Sequence, residues 1–381
     1  MRRLFAIAAL ALSVGGCSKA TDVPGVPAPS AAATPDRNLF GYVLDGAGGF
    51  APLPGSPFAS GGKIDDVESL SALPSRNLLF VGNDVTSTLS VLRFDAAQGA
   101  LVPLPGSPYQ AEGSVTAETA ATGDLVFVGN ATSNTVSSYR LRDDGVPLLV
   151  EGSPVATGGD LIEGMTVDPL GRFVFVASAN SNTLSVLRIA ADGTLTHAPG
   201  SPNPGVFLPD EVATDPGGRL VYVTNRSQAT ISAFALGTDG RISALPGSPF
   251  PAPAGFASHE HCLVNPAGTV LIATYEAPPA ISSYRIAQDG TLTQVPGTPV
   301  LLNNGAPSGG PEGMAFDPTG RFLYLADHIA NRLHVFAVDP AGGLSAVVPG
   351  GTPLPAEPLD VIIPGWQFNG RPVMFVAMAL H

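Results

Sequence analysis

The chain has 381 residues, 44% of them hydrophobic and only 13% charged, with 18 basic against 31 acidic side chains and a formal net charge of −13. A field of that sign repels nucleic acid and anionic membrane surfaces, so no nucleic-acid partner is expected. The 45 glycines, 38 prolines and short β-branched apolar runs without helical periodicity exclude a helical bundle and point to an all-β fold.

The first segments in chain order are an address. Arg2 and Arg3 form a basic n-region, Leu4 to Val14 is an apolar stretch too short to span a bilayer, and Val14-Gly15-Gly16-Cys17 reads as a bacterial lipobox. Residues 1–17 are therefore predicted to be a lipoprotein signal peptide, with Cys17 lipidated and holding the protein to a membrane. Ser18, where an aspartate would signal inner-membrane retention, points to an outer-membrane anchor facing the periplasm or the cell surface. Residues 18–35, rich in Ala, Pro, Val and Ser, are predicted to be a flexible tether. Beyond Cys17 the sole cysteine is Cys262, so the folded domain at 36–381 is expected to hold no internal disulfide and to use Cys262 as core packing.

From there a single phrase recurs. Pro-Gly-Ser-Pro stands at Pro54 to Pro57, Pro105 to Pro108, Pro199 to Pro202 and Pro246 to Pro249, with Gly152-Ser153-Pro154, Gly297-Thr298-Pro299 and Gly351-Thr352-Pro353 as worn copies. A period near fifty residues means one supersecondary unit repeated. In the cleanest copy, strand A is predicted at Gly164 to Asp168, a turn at Asp168-Pro169-Leu170-Gly171, strand B at Phe173 to Ala177 and strand C at Thr183 to Ile189; Asp192-Gly193 then turns into strand D. Four antiparallel strands per unit make a propeller blade. The chain begins with only a C-D pair, Leu39 to Leu44 and Phe50 to Leu53, and ends with only an A-B pair, Leu359 to Ile363 and Pro372 to Ala377. Joined, the halves complete a seven-bladed β-propeller with no open sheet edge.

Leu220-Val221-Tyr222-Val223-Thr224-Asn225 carries a YVTN strand, and Asp317-Pro318-Thr319-Gly320-Arg321-Phe322-Leu323-Tyr324 matches the turn and strand of the same repeat. Over residues 38–381 the chain resembles the seven-bladed propeller lactonase family, 6-phosphogluconolactonase-like and YVTN-repeat. The resemblance implies hydrolysis of a small lactone. Ser258-His259-Glu260-His261 fits that family's His-x-His; where the family often shows Gly-Pro-Arg-His, this chain has Gly310-Pro311-Glu312-Gly313, without the arginine and histidine.

Aligning the repeats on strand B places Glu68, Glu163, Asp210, Glu260 and Glu312 in one column just before the innermost strand, while Glu118 of another repeat falls three positions late. Strand B returns to the same face at Asn225 and Asp327. Converging oxygens at a channel mouth have three uses: holding a divalent cation such as Ca²⁺, contacting sugar-like hydroxyls, or supplying a general base. They also have a structural use, stapling neighbouring blades by accepting backbone hydrogen bonds. In the catalytic reading Glu163 or Glu260 activates water while His259 or His261 orients the substrate or protonates the leaving oxygen. In the alternative reading the propeller is a non-catalytic envelope scaffold that binds a protein partner or small ligand. No Gly-x-Ser-x-Gly elbow, Walker A loop, His-Glu-x-x-His helix or Cys-x-x-Cys pair occurs, which disfavours serine hydrolase, nucleotide and thiolate-zinc chemistry.

Overall fold

Strand B of every repeat is apolar along its whole length, which suits a strand buried on both faces, and each is flanked by the turn residues that force antiparallel returns. The computed structural model describes residues 38–64, 70–113, 116–302, 305 and 309–379, and in these the repeat becomes seven antiparallel sheets. Cys17, the signal peptide, the tether and Glu68 lie outside the described residues. Residues Asp36–His381 form one compact unit.

Blade 3 shows the plan. Its strands are Ile162–Val167, Phe173–Ser178, Thr183–Ile189 and Leu195–His197, in that order from the central channel outward. The innermost strand begins two residues earlier than the turn signals suggest, because Ile162 pairs with Ser178 across a bulge. Burial falls outward: Phe173–Ser178 is wholly buried, whereas two of the three residues in Leu195–His197 are exposed. Seven apolar clusters fill the interfaces between adjacent blades; the one between blades 3 and 4 joins Phe175 and Val186 to Val212 and Val223. Cys262 is buried in such a cluster, beside Tyr222 and Leu271, as expected for core packing.

The ring closes as the half-blades require. Leu39–Leu44 pairs antiparallel with Arg371–Ala379, with Leu39 opposite Ala377 and Val43 opposite Val373. Glu357–Ile362 lines the inner side of this composite blade 7 and Phe50–Pro52 the outer side.

Each Pro-Gly-Ser-Pro phrase lies at a blade's outer corner, after strand D. Its serine oxygen accepts the backbone N–H of a residue in strand C: Ser56 from Gly41, Ser107 from Val91, Ser153 from Ser138, Ser201 from Val186 and Ser248 from Ala233, at 2.7–2.9 Å. The hydroxyl thus satisfies a strand donor at the point where strand D has ended and cannot.

Candidate functional site

The innermost strands begin on one face of the ring, and in blades 2 to 7 each carries a β-bulge near that end. A bulge inserts one residue, so alternation breaks and the residue after it is re-aimed. Glu163, Asp210, Glu260 and Glu312 all fall at the bulges. One residue further along each strand, Glu211 and His261 within their bulges and Glu118 and Asp360 at the ends of theirs line the central channel, a cavity of about 370 Å³. Glu118 belongs to this inner set because the hairpin of blade 2 is shorter than that of blade 3: Thr122 pairs with Leu125 across two residues, whereas Val167 pairs with Val174 across six.

The bulge carboxylates are occupied with one another's neighbourhood. Arg226, immediately after the YVTN strand, places Nε 3.2 Å from Asp210 Oδ2 and an Nη 2.9 Å from Glu260 Oε1, with Glu276 Oε2 at 3.9 Å. Ser258 Oγ donates to Glu260 and Glu276. Glu312 Oε1 lies 3.1 Å from His328 Nδ1, and Glu163 is half-buried in its bulge. Among the described residues one group of acidic and imidazole atoms falls within 4.8 Å, that of Asp210, Glu260 and His261. It does not fit Ca²⁺: a hard cation takes about six to eight oxygens, and Arg226 already supplies the positive charge to both carboxylates.

The structure separates the two histidines. His259 is fully buried, packs at a tilt of 48° against Tyr275 with ring centroids 4.4 Å apart, and neither ring nitrogen has a hydrogen-bond partner among the described residues. Burial pushes its pKa down to about 3, so it is a neutral packing group and not a proton shuttle. The bulge after it undoes the alternation that would have set it beside His261. Asn225 and Asp327 are also fully buried and serve as loop staples rather than ligand contacts. Asn225 donates to Thr230 and Ser232 and accepts from Phe207, while Asp327 accepts from Gly310 and Ala330 and meets His334 at 3.3 Å.

Inside the channel His261 Nδ1 lies 3.7 Å from Glu211 Oε2. Asp360, on the innermost strand of blade 7, accepts the N–H of Leu70 at 2.8 Å and of Val361 at 2.6 Å. Its pKa is pushed up to about 7, chiefly by burial, opposed by those two N–H groups and by His261, and raised further by Glu211. Ser71 and Thr119 add hydroxyls, and Met165, Val212, Leu263 and Met314 add apolar wall. Gly313 marks how tightly the innermost strands converge: a Cβ there would stand 2.6 Å from the Asp360 Cα. Asp360, Glu211 and Arg226 were not singled out from the sequence; the bulges that re-aim the first two leave no residue-type signature, although Arg226 follows a recognisable strand end.

A seven-bladed propeller whose channel mouth gathers carboxylates and an imidazole is the class of protein this architecture defines. Residues 162–256 match the family model described as Lactonase, 7-bladed beta-propeller, and the likeness read from the repeats is borne out in the fold. A candidate 6-phosphogluconolactonase of Bacteroides fragilis superposes with a TM-score of 0.69 at 17% identity, covering 86% of this chain and 98% of its own. The periplasmic gluconolactonase of Pseudomonas aeruginosa gives 0.66 at 20% identity, covering 90% and 99%. Hydrazine synthase of Kuenenia stuttgartiensis gives 0.58 at 16%, covering 79% and 91%, so the architecture also carries unrelated chemistry. A search of curated proteins found no match.

Proposed function

We propose that the chain hydrolyses a small lactone within the central channel, as an envelope protein anchored through Cys17. The observation that carries the reading is Asp360, a buried carboxyl with a near-neutral pKa facing His261 and Glu211 in a cavity of small-molecule size. Ionised Asp360 takes a proton from water as the water oxygen bonds to the lactone carbonyl carbon. The imidazole of His261, held beside Glu211, donates an N–H to the carbonyl oxygen as negative charge builds on it, and the charge returns to the carbonyl bond when the intermediate collapses. When the ring C–O bond breaks, Asp360 returns its proton to the departing oxygen, and the products are a hydroxy acid and the regenerated carboxylate. The lipobox supports the envelope location, and a neighbour of the same fold is described as periplasmic.

Hydrolysis of unsubstituted aldonolactones by the purified protein tests this. Asp360→Asn is expected to lower kcat/KM by about 100-fold or more, the range of a lost general base. The activity of the parent should rise with pH and level off above about 7, as the carboxylate forms. Absence of turnover, or an Asp360→Asn variant of unchanged rate, would leave the channel a binding site.

A further inference from the structure

Resting on the hydrolytic reading of the channel, we infer that its substrate is an uncharged polyhydroxy lactone and that a phosphorylated sugar lactone is rejected. The titratable groups lining the cavity are three carboxylates, Glu118, Glu211 and Asp360, one imidazole, His261, and the buried thiol of Cys262; no lysine or arginine lines it among the described residues. A phosphate in such a site requires a guanidinium, an ammonium or a cluster of backbone N–H groups to replace its water. Arg226 is held by Asp210 and Glu260, and Lys63 is exposed in the loop ahead of blade 1.

The same groups suit hydroxyls. Carboxylates are strong acceptors for sugar O–H donors, and Ser71, Thr119, Thr166 and Thr214 supply further hydroxyl oxygens along the wall. Met165, Val212 and Leu263 offer the apolar surface on which the C–H face of a six-membered ring packs. The cavity of about 370 Å³ lies toward the small end of ligand sites, which matches one ring rather than a disaccharide. A dianionic phosphate placed in it meets the like charge of Glu118 and Glu211 at low dielectric, where such repulsion is felt most.

The test compares a six-carbon aldono-δ-lactone with its 6-phosphate as substrates of the full-length protein. In parallel, calorimetry measures binding of the corresponding open-chain polyol and its 6-phosphate, neither of which can be hydrolysed. Turnover of the uncharged lactone is expected to exceed that of the phosphorylated one by about 100-fold in kcat/KM, and the polyol is expected to bind in preference to its phosphate. Glu118→Gln should narrow the gap by about five- to tenfold, through better binding of the phosphorylated ligands. Equal or tighter binding of the phosphorylated polyol, or equal turnover of the phosphorylated lactone, overturns the inference. No lactone turnover with the polyol preference intact overturns the hydrolytic reading alone.

Discussion

Two buried side chains set opposite demands on the folded state. Asp360 titrates near 3.8 when unfolded and about 7 when folded, so between those values the native state holds a proton that the unfolded chain has released. Its stabilising contribution is complete below about 3.8 and is lost as pH rises to about 7, a change on the order of 4 kcal/mol. Asp360→Asn removes that dependence. The variant is expected to gain stability relative to the parent as pH rises from about 4 to about 8, and parallel urea-denaturation curves at the two ends would refute the assignment. His259 works the other way. Its ordinary value of 6.5 falls to about 3, so stability from this group is present above 6.5 and lost as pH drops through that window. His259→Phe keeps a ring against Tyr275 and removes two unpartnered nitrogens. It is expected to be more stable than the parent at about pH 4, by several kcal/mol, with little change in lactone turnover. The sequence showed both histidines and most of the acidic groups but not their division of labour, because which imidazole meets the channel depends on one inserted residue at Glu260.

At the scale of strands and turns the repeat was legible almost completely. Pro-Gly-Ser-Pro, Asp-Pro and Asp-Gly punctuation located blade 3's strand C to the residue and its strands A and B within two. Such phrases are visible because turns demand particular residue types, whereas a β-bulge in these strands is made from Glu163, Asp210, Glu260 or Glu312 with no special chemistry of its own. A column counted without gaps therefore lands on the bulges, misses Glu211 one step away, and leaves Glu118 and Asp360 out of line. The phrase itself is a structural device whose energy is testable. Val186 is fully buried and its N–H is accepted by Ser201 Oγ at 2.9 Å. Ser201→Ala leaves that donor unsatisfied and is expected to cost about 1–3 kcal/mol in urea denaturation. Because Ser201 sits at the outer corner, hydrolysis per folded molecule should be unchanged.

Closure of the ring ties fold to chemistry at the scale of the whole molecule. Asp360 belongs to blade 7, which is assembled from both ends of the chain, and the N–H it accepts at 2.8 Å comes from Leu70 in blade 1. That bond crosses the interface where the propeller completes its circle, so the protonation of the proposed base depends on how the last blade seats against the first. The N–H favours the ionised carboxylate and holds the pKa below what burial alone would give. Leu70 is the first described residue of its strand and gives its N–H to Asp360, so Leu70→Pro deletes that donor without adding charge to the channel. The variant is expected to fold, to retain turnover at about pH 9, and to show the ascending limb of its pH–rate profile displaced upward by about one unit, since one hydrogen bond to a charged group amounts to about 1.5–3 kcal/mol and part of it is regained from solvent. A limb that stays near 7 would disconnect the blade interface from the titrating group. A profile lowered uniformly, with no displacement, would mean that the substitution disturbs the channel's shape and leaves the carboxyl's environment as it was.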